Sequence, residues 1–448
     1  MVKVAVLTTL DSLPPMYGLV PVIVNQLKML SLYHKDNIGL FIMEGSEARN
    51  DWKGMPPNVK LEPFVPFMHL YDYAVMNSPE QEHDVPAVGI HHDGANNNQT
   101  NFKKQVQLIV ESLEDKLRGY DVVITHDIMF QGWFLPHNAA CRVIGGRHPN
   151  IRWIHWSHSG PSTWPLSAQK GPNKYRFSGM ENSVFVSPNA SMAPGFAKMY
   201  NIPLSLVKVV YHIFEPTNFF KFNPISTALV NKHKLLDCDV LAVWATRIDH
   251  IDGKGIPLAV NFMAQMNKVC SAKLIFLNSW SSTPEAKEKI QRVKSIAETK
   301  GMPAGNLCFS SELDPKYENG VPPDVVHDML QISNLFVFPS TSETFSYSLA
   351  EAAISKNLLL LNGTLTVMRE LAVDSAEYIS GVADWGGVRT DVHYDAGSED
   401  GYCIGRAEEI WKEISGNKVL MSQRRWLRDF RTKNIWETQM KPLIEGDY

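Results

Sequence analysis

Two short segments carry charged side chains at spacings that suit a polyphosphate. The first reads Ala245-Thr246-Arg247-Ile248-Asp249-His250-Ile251-Asp252-Gly253-Lys254-Gly255. Arg247 offers a planar fork for two oxygens, and Lys254 a compact point charge. The Gly253-Lys254-Gly255 turn lets backbone come close to a ligand. A helix starting near Ile256 would aim its first amides into the same space. The second segment reads Pro339-Ser340-Thr341-Ser342-Glu343-Thr344-Phe345-Ser346-Tyr347-Ser348-Leu349-Ala350-Glu351. On one helix, Glu343 and Glu351 would stand ~12 Å apart. Carboxylates that share work on one bond stand ~5–9.5 Å apart. The two acids therefore have separate tasks, and a buried Glu351 suits a ribose diol. Histidines follow strands at Thr125-His126-Asp127 and at His155-Trp156-Ser157-His158-Ser159. Of His155 and His158, the second lies beyond the strand end and is the better candidate for a cleft. His83-Asp84 and His91-His92-Asp93 sit in a Gly/Asn-rich stretch without cysteine, and are read as loop rather than metal site.

The elements that must position these residues read as two α/β series. Val2–Leu7 is an apolar strand, followed by a Pro/Gly turn (Leu13 to Gly18) and an apolar-periodic helix from Leu19 to Leu32. Further buried strands are Ile38–Met43, Val122–Thr125, Trp153–His155 and Ser183–Val186. Continuous apolar runs of this kind are what parallel strands covered on both faces look like. Between Asp51 and Gln105 the pattern lapses, and an irregular insertion is expected. A second series starts at Val240–Trp244 and repeats strand and helix through Lys273–Leu277, Leu335–Phe338, the helix Ser346–Ser355 and the strand Leu358–Leu361. The aperiodic stretch Phe214 to Pro224 is the linker. The expected division is an N-terminal domain over 1–214 with the insertion at 51–105, a C-terminal domain over 215–420, and a closing helix in 421–448 packing back on the N-terminal domain. Two open, doubly wound sheets place ligands at the carboxyl ends of their strands, where the residues above fall.

The joint order R-x6-K-G, then PS-x3-E-x7-E, resembles the retaining GT-B glycosyltransferases of the family-4 type. The resemblance extends over most of the chain. Ser187-Pro188-Asn189-Ala190-Ser191 through Tyr200-Asn201-Ile202-Pro203 is similar to the last strand and helix of that family's N-terminal domain. Val207–His212 with Thr217-Asn218-Phe219-Phe220 resembles its hinge, and Asn362-Gly363-Thr364 through Leu371 the loop after its donor helix. The resemblance implies two Rossmann-like domains facing a central cleft, and a metal-independent, retaining transfer from a nucleotide diphosphate sugar, UDP-sugars foremost, with no other cofactor. It implies that Arg247 and Lys254 bind the diphosphate, that Glu351 binds ribose and that Glu343 lies by the donor sugar. Thr344, Phe345 and Ser346 belong to the same donor loop, and Gly18 to the N-terminal glycine loop. His158 would touch a donor-sugar hydroxyl and His126-Asp127 would form the acceptor side. Three departures stand out. Tyr17-Gly18 replaces a double glycine, Thr344 and Ser346 replace the glycines beside Phe345, and Asn357, which tolerates a left-handed conformation, replaces another.

Composition sets the outer limits. The chain has 448 residues, 44% apolar and 20% charged, the balance of a folded globular protein of two or three domains. Lys+Arg of 43 against Asp+Glu of 47 gives 43 − 47 = −4, so bulk charge does not favour polyanions. Cys141, Cys238, Cys270, Cys308 and Cys403 form no CxxC pair, which points to a reducing, cytoplasmic setting. No apolar run is long enough to span a membrane. The acceptor is open among a metabolite, a glycan and a hydroxymethylated DNA base. For the last, Arg142, Arg147, His148 and Arg152 with the arginines of a helix over Ser422 to Met440 would form a local phosphate track. The competing readings are a non-catalytic nucleotide-sugar-binding protein, or a GT-B enzyme of other chemistry such as an epimerase.

Overall fold

A computed structural model describes residues 2–8, 10, 19–34, 38–44, 55–66, 102–130, 134–162, 171–248, 250–279, 281–343, 346–372, 375–380 and 398–447. The chain forms two compact units, 1–213 with 430–448, and 214–429.

The first unit is built on a seven-stranded parallel sheet in the order β3-β2-β1-β4-β5-β6-β7. Its strands are β1 Val4–Leu7, β2 Ile38–Glu44, β3 Val59–Pro66, β4 Val122–His126, β5 Arg152–Trp156, β6 Ser183–Ser187 and β7 Val207–Val209. Alternation along β1 divides the core. Val4 and Val6 face one apolar layer, with Ile23, Leu27 and Leu30 of helix α1 (Leu19–Tyr33). Ala5 and Leu7 face the other, with Ile109 and Leu113 of helix α2 (Phe102–Leu117). The C-terminal residues finish the first layer. Ile435, Trp436, Met440, Leu443 and Ile444 are buried in it, and Trp436 stacks on Tyr33 with ring centroids 5.5 Å apart.

The second unit has a six-stranded parallel sheet in the order β10-β9-β8-β11-β12-β13. These are β8 Val240–Arg247, β9 Ala272–Ser279, β10 Leu307–Phe309, β11 Leu335–Phe338, β12 Leu358–Asn362 and β13 Glu377–Ile379. Counted within the unit this is the order 3-2-1-4-5-6, the doubly wound arrangement of dinucleotide-binding folds. Both units are thus Rossmann-like α/β folds, as the alternating strand and helix pattern predicts. The order reverses between β8 and β11 in the second unit and between β1 and β4 in the first. Ligand sites form at such points.

Three features depart from the sequence reading. The stretch read as an insertion contains β3, whose Pro63 and Pro66 disguise it. It pairs with β2 at the sheet edge, where a missing N–H is tolerated. The expected closing helix is broken into helix α3 (Lys418–Arg428) and short helical turns from Thr432 to Glu445. Asn357 does not take up the left-handed conformation; its neighbour Lys356 does, at φ 63°. The Asn357 amide is instead buried, donating to the Leu330 and Ala352 carbonyls and accepting from Ser333 Oγ at 2.6 Å. The expected metal-free loops at His83-Asp84 and His91-His92-Asp93 lie outside the described residues.

Candidate active site

At the switch point of the second sheet, the two charged segments are tied to each other by backbone. Thr341 donates from both its N–H (3.0 Å) and its Oγ1 (2.9 Å) to the Gly253 carbonyl. Gly255 has φ +68°, and a Cβ there would stand 2.2 Å from the Pro339 carbonyl oxygen. Only glycine gives this crossing its closeness. Asn362, at the end of β12, holds the Ser340 carbonyl at 3.0 Å. The loops after β8, β11 and β12 are thus one assembly, and the spacing R-x6-K-G matters because Lys254 must sit inside it.

Arg247 is the last residue of β8, rather than a loop residue, and is exposed. Lys254 projects toward the second segment and donates to Glu343 Oε1 at 2.5 Å, with Ser340 Oγ donating to the same oxygen at 3.0 Å. The acid of the lysine's own loop, Asp252, is turned away into a two-point pair with Arg292, at 2.9 Å for each bond. Arg247, Lys254 and Glu343 line a pocket of about 530 Å³, together with Ser346 and Tyr347 and an apolar wall that includes Trp244, Val321 and Phe338. Its described charged groups sum to one net positive charge.

Two expectations about this site change. The first turn of helix α4 (Ile256–Val269) contributes less than predicted. Ile256 N–H donates to the Ile251 carbonyl at 2.9 Å, Pro257 has no N–H, and Ala259 N–H donates to the Gly255 carbonyl at 3.1 Å. The amides there are mostly spent, so the positive charge comes from side chains. Glu351 is exposed on helix α5 (Tyr347–Ile354) and is not among the residues lining the pocket. It lies one turn beyond Tyr347, which does line it, so it sits at the rim and not buried beneath a ribose. Gly18, Thr344 and Phe345 lie outside the described residues.

Ser346 is held at φ 70°, ψ 90°, while its side chain caps α5 by accepting from Leu349 N–H at 3.3 Å. A residue with a Cβ pays for that conformation with about 1 kcal/mol. Substituting glycine for an N-cap serine costs only a few tenths, about 0.3 kcal/mol. Ser346→Gly should therefore stabilise the second unit by about 0.7 kcal/mol, read as a higher urea midpoint; a lower midpoint would show the cap outweighs the strain.

The switch point of the first sheet holds a histidine cluster. His155 lies within β5, buried, with Nδ1 against Thr125 Oγ1 at 2.9 Å. His158 lies past the strand end and is only partly covered. His126 is fully buried, with Nδ1 at 2.8 Å from His158 Nε2 and Nε2 at 2.8 Å from Gln26 Oε1. The Asp127 carboxylate accepts the His158 backbone N–H at 3.0 Å. The pair His126-Asp127, expected on the acceptor side, is therefore turned inward and holds His158 by ring and by backbone. Burial pushes the His126 imidazole down to about 3 and that of His158 to about 2, with nearby histidines adding to each shift. Sequence reasoning missed Gln26. Its signal is a polar residue on the buried face of α1, between Ile23 and Leu30.

Neither a protein-family model nor a curated protein matches the chain. Solved structures that match include HepE from Anabaena in complex with UDP (12% identical, TM-score 0.36, 99% of this chain and 100% of that one). A glycosyltransferase from Rickettsia africae matches at 12% identity and TM-score 0.36 over 100% of both chains. The lipopolysaccharide outer core galactosyltransferase WaaB, in its apo form, matches at 11% and 0.35 over 100% of both. At that similarity, residue roles rest on the geometry above.

Nothing among the described residues supports the expected phosphate track, and six of its cations have partners within the protein. Arg142 donates to the Tyr175, Ser178 and Gly179 carbonyls. Arg147 and His148 both hold Glu114, and Arg152 donates to the Ile444 carbonyl. Arg424 is buried, donating to the carbonyls of Leu235, Cys238 and Ile332, and Arg428 is paired with Asp239 and Asp429. Arg142 and Arg424 satisfy carbonyls of the fold, whereas Arg147 stays half exposed. Among the described residues no helix is long and apolar enough to cross a membrane, and no cluster of His, Cys, Asp and Glu is arranged to hold a metal ion.

Proposed function

We propose that the chain is a glycosyltransferase that moves a sugar from a nucleoside diphosphate sugar, a UDP-sugar foremost, to a hydroxyl acceptor, with retention of configuration and without a metal. The observation that carries this reading is the pocket at the β8/β11 switch point, where Arg247, Lys254 and Glu343 converge. In the reaction, the bond from the anomeric carbon to the phosphate oxygen breaks and the phosphate leaves with the electron pair. The acceptor oxygen bonds to the same carbon on the same face, and its proton passes to the departing phosphate. Negative charge therefore grows on the phosphate, where fixed cations are worth most. Arg247 and Lys254 supply them. Binding of the diphosphate would draw Lys254 from Glu343 and leave that carboxylate, still held by Ser340, beside the sugar. The resemblance gives His158 a hydroxyl of the donor sugar, and Glu351 would reach a ribose from the pocket rim.

The test is a panel of nucleotide sugars incubated with the protein, with and without candidate acceptors and with a chelator, scored by nucleoside diphosphate release. Release from a UDP-sugar, unaffected by the chelator and increased by an acceptor, is expected. Binding of a nucleotide sugar with no release under any condition would sink the enzymatic reading in favour of a binding protein.

A further inference from the structure

The buried polar chain at the first switch point has a direction. Gln26, His126 and His158 come from α1, β4 and the loop after β5, and their polar atoms meet in line at 2.8 Å and 2.8 Å. A neutral imidazole has one N–H and one lone pair, and the partner of one nitrogen decides the role of the other. The amide oxygen of Gln26 only accepts. With the Gln26 oxygen turned to His126 and the Gln26 Nε2 left without a partner, the proton of His126 belongs on Nε2, which leaves Nδ1 as a lone pair. That lone pair requires the proton of His158 on Nε2. The His158 Nδ1 then carries a lone pair, and it has no hydrogen-bond partner.

The surroundings keep the chain neutral. The rings of His126, Trp156 and His158 form a triangle, with the His126 centroid 5.7 Å from Trp156 and 5.1 Å from His158 and the other two 6.4 Å apart. His212 faces His158 at 5.5 Å, and burial lowers its imidazole as well. The Asp127 carboxylate accepts the backbone N–H of His158 at 3.0 Å. A proton added to His126 Nδ1 would break the donor-to-acceptor order, and one added to His158 Nδ1 would leave a buried cation with an unpartnered N–H.

We infer that Gln26 and His126 are positioning residues that lock His158 in its Nε2–H form, so that Nδ1, covered from solvent in this structure, is kept unprotonated as the acceptor for a sugar hydroxyl. The identity of the hydroxyl rests on the reading of His158 under Proposed function; the lock does not. It also separates this His from a general acid, because the presented nitrogen has no proton to give.

The experiment is nitrogen-15 NMR of the full chain with labelled histidine at pH 7.5, assigned through His126→Asn and His158→Ala. Neutral Nε2–H patterns are expected for both His126 and His158. Gln26→Met removes the acceptor at nearly constant volume, and should let both rings populate the two tautomers. His126→Asn keeps an amide oxygen near the Nδ1 position and should retain the Nε2–H form of His158, whereas His126→Leu should lose it. An Nδ1–H or doubly protonated His158 in the unaltered protein overturns the inference, as does a His158 pattern unmoved by Gln26→Met. Should His158→Ala leave nucleoside diphosphate release unchanged while the tautomers are as described, the role of His158 in transfer fails and the lock stands.

Discussion

Lys254→Ala should lower turnover of a nucleotide sugar by about a hundredfold, the scale for removing one preorganised charge from a developing anion. The pocket amplifies the loss. With Lys254 in place, the charges lining the pocket are Arg247 and Lys254 against Glu343. Without it the sum falls to zero, and the Glu343 carboxylate is left with Ser340 Oγ at 3.0 Å and facing the diphosphate. Arg247→Ala should cost at least about tenfold, since the exposed strand-end position is better solvated and more screened. Neither change should unfold the unit. The loop is held by the Thr341 bonds to the Gly253 carbonyl and by the Gly255 approach to Pro339, and the lysine side chain has no part in either. The double variant Lys254→Ala with Glu343→Gln should lose less than the two singles combined, because groups in direct contact do not add. Steady-state nucleoside diphosphate release reads the three single variants, the double variant and the unaltered protein. Turnover within twofold of the unaltered enzyme in both single variants would remove the assignment of this pocket to the donor.

What was legible in the sequence follows from which forces act locally. The buried strands of both sheets are visible because a parallel strand covered on both faces needs an unbroken apolar run, as Val240 to Trp244 and Leu335 to Phe338 show. The edge strand β3 was not, because Pro63 and Pro66 oppose a strand in isolation, and only its place at the sheet edge makes them harmless. The charged pair Arg247 and Lys254 was legible from type and spacing. The pairing of Lys254 with Glu343 was not, since it depends on two loops 89 residues apart crossing at Gly255. Sequence reading also placed Glu351 in a buried position, where an eight-residue helix with exposed Tyr347 and Ile354 leaves it outside.

The arginines teach the converse lesson. A run of Arg424, Arg425, Arg428 and Arg431 looks like a patch for a polyanion. A guanidinium is also the side chain best suited to satisfying several carbonyls at once, and Arg424 does so beneath α3. Arg142 does the same after helix α2 and before β5. Counting charge along a sequence cannot tell these uses apart; carbonyls left over at helix ends and strand ends decide it.

Acidification from pH 7.5 to pH 5.5 should destabilise the protein by about 4 kcal/mol through three histidines alone. In the unfolded chain each imidazole titrates near its ordinary 6.5. In the folded protein His126 is pushed down to about 3 and His158 to about 2. His155 is held well below its ordinary value by burial and by the nearby Arg142 guanidinium. Below pH 6.5 the unfolded chain therefore binds protons that the folded one refuses. Stability is complete above that value and falls with the pH, by about 1.4 kcal/mol per unit for each group. Carboxylates with lowered values add nothing in this window, because their ordinary values of 4.5 for Glu114 and 3.8 for Asp400 lie below it. Urea unfolding at the two pH values measures the loss. His155→Gln, which removes one of the three without touching Gln26, His126 or His158, should reduce it by about 1.4 kcal/mol. Equal stability at pH 7.5 and 5.5 would mean that these rings are charged in the folded state, and the neutral chain from Gln26 to His158 would fall with them.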